Sequence, residues 1–324
     1  MLAAAAVSTH PDDPLAGLVV GEQPERPAPD GWTTVLVRAA ALNHHDLFSL
    51  RGVGLTAERL PMILGCDAAG VTEDGRDVVV HAVIGDPAAA DGDETLDPKR
   101  TLLSELHPGT LAERVTVPTR NLVPKPASLS WEEAACLPTA WLTAYRMVIN
   151  RAGLPADGGG TLLVQGAGGG LATAAILIAK AAGHTVFATS RAESKRKRAL
   201  HLGADAALES GARLPRRVDA VIETVGAATW HHSVASLRPG GRIVCSGATS
   251  GDNPPAELTR IFFLQLSVVG STMGTRDELI DLVAFLDRTG VRPVIDDVRP
   301  LADARASFER LVRGDVHGKL VLTV

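Results

Sequence analysis

The rhythm of apolar positions changes once along this chain, near Leu129. Before that point, short alternating or apolar runs at 34–41 (T-V-L-V-R-A-A-A), 77–83 (D-V-V-V-H-A-V) and 111–117 (L-A-E-R-V-T-V) are bounded by Pro and Gly. Runs of that length between turn residues predict strands of a β-rich domain. After it, Ser130-Trp131-Glu132-Glu133 has the serine and the glutamate three residues on that begin a helix. A further helix is expected over 139–150. Apolar strands at 161–165, 185–189, 220–223, 242–246 and 266–270 then alternate with helical patterns at 171–182, 193–202 and 230–237. Such alternation, with strands apolar throughout, predicts a parallel sheet covered by helices on both faces. The tail adds a helix at 277–289, a strand at 294–298, a helix at 302–313 and an end strand at 319–324.

Composition narrows the functional classes. The chain has 324 residues, 45% of them apolar, but only 3% are aromatic, so the core must rest on Ala, Val, Leu and Ile. Tyr145 is the single tyrosine, which leaves one phenol in the chain as a candidate proton donor. A net charge of −5 gives no reason to expect a nucleic-acid surface. Cys66, Cys136 and Cys245 stand far apart without a C-x-x-C pair, which excludes a four-cysteine zinc site and speaks against a disulfide framework. The N-terminus lacks a basic leader, and the apolar stretch at 171–182 is interrupted by Thr173 and Lys180. A cytoplasmic protein without a membrane span is expected. Asp86, Asp91, Asp93, Glu94 and Asp97 crowd the loop 85–109, but without the glycine and terminal glutamate of a calcium loop they read as solvated.

The strongest local signal is L-V-Q-G-A-G-G-G-L-A at 163–172, which follows a strand and opens a helix. Glycines in that setting let backbone approach a pyrophosphate, and the helix N-terminus offers free N–H donors. Ala167, Gly168, Gly169, Gly170 and Leu171 would form the cradle, with Ala167, Gly169 and Ala172 in the key positions of the dinucleotide pattern. A tight turn with no ligand is the plainer alternative. The next strand ends T-S-R-A-E-S-K, with Ser190 and Arg191 where an acidic residue would accept a ribose 2′-hydroxyl, and with Lys195 within a turn. A hydroxyl and two cations suit a 2′-phosphate, so NADPH is expected over NADH; the plainer alternative is a solvated basic helix face.

Taken together, V-L-V-R-A-A-A-L-N-H-H-D-L (35–47), L-P-M-I-L-G-C-D-A-A-G-V (60–71), G-T-L-A-E-R-V-T-V-P (109–118), E-A-A-C-L-P-T-A-W-L-T-A-Y (133–145), the glycine loop, R-P-G-G-R-I-V-C-S-G (238–247) and H-G-K-L-V-L (317–322) resemble the medium-chain dehydrogenase/reductase superfamily. The likeness is nearest to its zinc-free quinone oxidoreductase and enoyl reductase branch. It implies an α/β fold, a Rossmann doubly wound parallel sheet plus a β-rich GroES-like catalytic domain. The catalytic domain would comprise 1–125 and 275–324, and the NADP-binding domain 126–274.

The resemblance also implies roles. The metal ligands of zinc-dependent relatives fall on Asn43, Cys66 and about Thr139, an amide, a thiol and a hydroxyl that make a poor zinc set, so no metal is expected. His44 falls where relatives set a basic residue against the cofactor pyrophosphate, and His45 where they set a hydroxyl in the proton path. A hydrogen-bonded structural role for His45 stays open. Asp46 would orient its neighbours, and Asn43 and His45 would serve as hydrogen-bond and proton donors. Thr143, Gly247, Ala248, Ser271, Thr272 and Met273 resemble positions lining the nicotinamide, and Lys319 a hairpin reaching toward the cofactor. The implied activity is an NADPH-dependent oxidoreductase passing hydride to a quinone or an α,β-unsaturated carbonyl, as a homodimer joined at the edge strand 266–270. A zinc alcohol dehydrogenase with atypical ligands, or an NADPH-binding protein without redox chemistry, are the rival readings.

Overall fold

The computed structural model describes residues 1–25 and 27–324. They form two units, Met1–Leu142 with Met273–Val324, and Thr143–Thr272. Residues 126–142 therefore lie with the first unit, not with the dinucleotide domain as expected. The reason is local packing: the helix Trp131–Ala135 rests against the strands Trp32–Ala41 and Asp67–Thr72. That helix starts as the sequence indicates, with Ser130 Oγ accepting from Glu133 N–H at 3.2 Å and the Glu133 carboxylate accepting from Ser130 N–H at 2.9 Å. The helix expected at 139–150 is only partly α-helical. It is regular over Leu142–Tyr145, with wider π turns over Leu137–Trp141 and Arg146–Arg151. Pro138, which has no N–H to give to a regular helix, lies in the first of them.

In the second unit six parallel strands run in the order Ala206–Leu208, Thr185–Thr189, Thr161–Val164, Val218–Glu223, Leu237–Cys245 and Ser267–Gly270. This is the doubly wound order of dinucleotide-binding folds, with its switch point beside Thr161–Val164. All four residues of that strand are buried, as a strand covered on both faces requires. Leu163, Phe187, Val221 and Ile243 are central to the core here.

In the first unit both ends of the chain share one sheet. Its path is Leu122–Pro124, Asp77–Val80, Asp67–Thr72, Trp32–Ala41, Lys319–Thr323 and Ile295–Pro300, with Arg114–Pro118 also pairing to Trp32–Ala41. Two registers matter for the site. Ala41 lies opposite Asp67 on one side and opposite Val321 on the other. Because the Val321 pairing is antiparallel, Lys319 comes level with Asn43, just past the strand end. Gly318 makes the entry possible: its φ is +127°, and a Cβ there would fall 2.3 Å from the Val294 carbonyl oxygen. No helix among the described residues is long and apolar enough to cross a membrane.

Candidate active site

The short helix His44–Leu50 begins directly after the strand Trp32–Ala41, with Asn43 as its N-cap. Asp46, fully buried, accepts the Asn43 N–H on Oδ2 at 2.8 Å, which fixes the turn carrying both histidines. His44 is exposed and His45 half-buried.

Lys319 is not where its resemblance placed it. Its side chain is only 2% exposed, and Nζ donates to Leu42 O at 2.8 Å, Asn43 Oδ1 at 2.7 Å and Asp67 Oδ2 at 2.8 Å. An ammonium has three hydrogens, so its capacity is used inside the first unit and none is left to reach a cofactor. The bond also settles the Asn43 amide. Lysine can only donate, so the atom facing it is oxygen, and Nδ2 is the end left to donate elsewhere. Nδ2 makes one long bond, 3.4 Å, to Ala41 O.

The charges in this cluster set the protonation of their neighbours. Burial pushes the Asp46 carboxyl up to about 7, with the Asp67 charge adding to it and Lys319 and the Asn43 N–H opposing. Burial lowers His45, partly offset by Asp67, so its imidazole favours the neutral form. His45 Nε2 is buried without a hydrogen-bond partner and lies 3.8 Å from Glu105 Oε1. Cys66 is raised well above its ordinary value by burial and then by Asp46 and Asp67; it stays a thiol, and Sγ donates to Leu103 O at 3.1 Å. Cys136, pushed up to about 12 by burial, likewise donates to Glu132 O.

Sequence reasoning missed Glu105. It also misjudged the acidic loop as wholly solvated. Glu94 is 2% exposed and accepts the Arg276 N–H at 2.8 Å, while Asp97 accepts N–H groups of Asp86 and Lys99 at 2.8 Å each. Asp86 and Asp93 cap the turns Pro87–Ala90 and Glu94–Leu96. Four of the loop's acids are thus spent on its own backbone and on the start of the helix Arg276–Thr289.

In the second unit, Gly169 caps the helix Gly170–Ala181 and no protein atom lies within 4 Å of where its Cβ would be. Gly168 has φ +131°, and a Cβ there would meet Lys195 Cδ at 2.5 Å, so the lysine stem lies over the glycine turn. Ala167 is anchored by its N–H to Thr189 O at 2.8 Å, and Leu171 follows in the first helical turn. Ser190 is buried, with Oγ accepting from Ala192 N–H at 3.3 Å. Arg196, absent from the expected set, donates to the Ser190 and Arg191 carbonyls at 2.8 and 3.0 Å and so shapes the turn that presents the exposed Arg191. The open space at Gly169, the helix N-terminus and the adjacent cations fit a dinucleotide phosphate.

The remaining expected positions divide. Thr143 is buried, Gly247 and Ala248 follow the strand Leu237–Cys245, and Ser271 is tied to that strand's end by its N–H to Cys245 O at 2.9 Å. Thr272 closes the second unit and is exposed. Met273 packs instead into the hydrophobic core of the first unit, which takes its side chain away from a nicotinamide-lining role.

Comparison with known proteins agrees with this architecture. An alcohol dehydrogenase GroES-like domain matches 29–127, and a zinc-binding dehydrogenase domain matches 170–288. A solved NAD-dependent alcohol dehydrogenase is 33% identical, with a TM-score of 0.89 and full coverage of both chains. The chain belongs to the medium-chain dehydrogenase/reductase superfamily. Within this oxidoreductase superfamily it is 27% identical to a zinc-type alcohol dehydrogenase-like protein of Schizosaccharomyces pombe, over 94% of this chain and 93% of that one. It is 26% identical to a crotonyl-CoA reductase of Streptomyces avermitilis, over 98% and 83%.

A zinc ion is implied by the domain name, and the residues present do not fit one. Asn43 Oδ1 and Asp67 Oδ2 both hold Lys319, and Cys66 is a buried thiol bonded to a carbonyl. Thr139 offers only a hydroxyl, and zinc takes thiolate, imidazole or carboxylate. Among the described residues no group of three His, Cys, Asp or Glu side chains is placed to hold a metal.

Proposed function

We propose that this chain is an NADPH-dependent reductase that delivers hydride to a carbon–carbon double bond conjugated to a carbonyl, or to a quinone, with no metal in the step. The observation that carries the reading is the Lys319 ammonium seated on Asn43 Oδ1 and Asp67 Oδ2, a fixed positive charge among residues that a metal would have needed. A reduced nicotinamide, when bound, supplies the hydride. The protein then has to stabilise the enolate oxygen and return a proton. Asn43 Nδ2, left to donate because Lys319 holds Oδ1, is the donor for the oxygen, and a preset donor of this kind is worth about 3 kcal/mol of barrier. His45 is the candidate proton source, and Asp46 holds the turn that positions both. Likeness to crotonyl-CoA reductase favours the conjugated double bond over the quinone.

For the cofactor, Arg191 and Lys195 favour a 2′-phosphate, although the solved relative is named for NAD. Loss of nicotinamide absorbance with a panel of enones, enoyl thioesters and quinones tests the activity, and NADPH against NADH tests the phosphate. The expected result is turnover of an enone with kcat/KM for NADPH at least about tenfold higher, a preference that Arg191→Ser reduces by about tenfold. Alcohol oxidation with NAD and no enone turnover would establish the rival dehydrogenase. Cofactor binding without any turnover would establish a non-redox protein.

A further inference from the structure

The buried Nε2 of His45 has no hydrogen-bond partner, and Glu105 Oε1 lies 3.8 Å from it. That spacing is one side-chain adjustment, or one bridging water, from a proton-transfer contact. Several features hold the carboxylate there. Ser104, immediately before it, has φ +68°, a left-handed conformation that costs a non-glycine residue about 1 kcal/mol and turns the chain after Thr101–Leu102. Leu102 N–H lies 3.4 Å from Glu105 Oε2. Opposite it, Gly54 has φ +77°, which favours glycine, and a Cβ there would stand 3.0 Å from Glu105 Oε1 and make the carboxylate give way by a few tenths of an ångström. The Glu105 side chain is 26% exposed and that of His45 18%, which makes the carboxylate the wetter of the two groups.

We propose that Glu105 is the proton-supplying partner of His45, linking the buried imidazole to bulk water. The chemistry rests on the reductase reading. In that step a C–H bond forms at the acceptor's α-carbon as an N–H bond of the His45 imidazolium breaks, leaving the neutral imidazole that burial favours. A proton from water, passed through the Glu105 carboxylate, then re-forms the imidazolium. The hydride that balances the reduction comes from the reduced nicotinamide. Burial raises the Glu105 carboxyl and lowers His45, which brings the two closer to sharing a proton. Asp67, ion-paired with Lys319, also acts on His45, and Arg100 acts on Glu105. Cys66 beside them stays a neutral thiol.

The test uses the full chain with labelled histidine and needs no substrate. The His45 ring signal, assigned by its loss in His45→Asn, is titrated in the native protein, in Glu105→Gln and in Glu105→Asp. Removing a carboxylate that favours the imidazolium should lower the His45 midpoint by about one pH unit in Glu105→Gln, and Glu105→Asp should restore most of it. An unmoved midpoint overturns the pairing even if the enzyme reduces enones. On an acceptor that turns over, kcat of Glu105→Gln should fall about tenfold or more at unchanged KM, with recovery in Glu105→Asp. Unchanged kcat overturns the supply of protons whatever the titration shows. If no acceptor is reduced the reductase reading has failed, and the midpoint alone decides whether the pair exists.

Discussion

Asp46 is fully buried beside His45, and its protonation carries a consequence for stability that can be measured without any substrate. Burial raises its carboxyl from 3.8 to about 7 in the folded protein. Between about pH 4 and about pH 7 the folded state holds a proton that the unfolded state has lost, so folding stability declines as pH rises through this window. Above it both states are ionised and the term is constant. Asp46→Asn imitates the protonated acid and can still accept the Asn43 N–H, so it removes the decline. Relative to the native chain the variant should gain a few kcal/mol between about pH 4 and about pH 8, read from urea unfolding at both. A difference that does not change with pH would contradict the buried, proton-holding carboxyl. At this same scale the roles of Asn43 and Lys319 depend on one another, because the ammonium decides which end of the amide is free to donate.

At the scale of elements, much of the fold was legible and the central contact of the site was not. Strands buried on both faces leave an apolar run, and Thr185–Thr189 sits where that run predicts. Ser130 and the glycine loop are local signals, set by hydrogen bonds within a few residues, and both hold. Lys319 meets Asn43 only because three strands distant in sequence share the registers Ala41 to Asp67 and Ala41 to Val321, which no local pattern encodes. A lone lysine opening an apolar end strand, H-G-K-L-V-L, was the one available hint that it is buried. Glu105 gave none, since an acidic loop looks the same whether its carboxylates face water or backbone. Among the described residues the edge strand Ser267–Gly270 pairs on one side only, and Val268 with Leu258, Phe262 and Phe263 nearby in sequence is exposed. An apolar open edge of this kind is a pairing surface. We therefore expect a homodimer: light scattering should give about twice 33.8 kDa, and Val268→Lys should shift it toward monomer. A monomeric mass for the native chain would contradict that expectation.

For the molecule as a whole, the proposed reading gives the two units separable tasks. The second carries the glycine turn and the cations suited to a nucleotide, and the first carries the amide, the imidazole and the buried ammonium. Changes at Arg191 should therefore appear mainly in cofactor affinity, and changes at His45 or Glu105 mainly in turnover. On the proposed function, Lys319 orients the Asn43 amide as the donor to the developing enolate, and reduction needs no zinc. The most direct test is enone reduction by NADPH after exhaustive chelation, with metal content determined on the same sample. The expected result is an undiminished rate at far below one zinc per chain and no gain when zinc is returned. A rate that is lost with the metal and restored by zinc would contradict it.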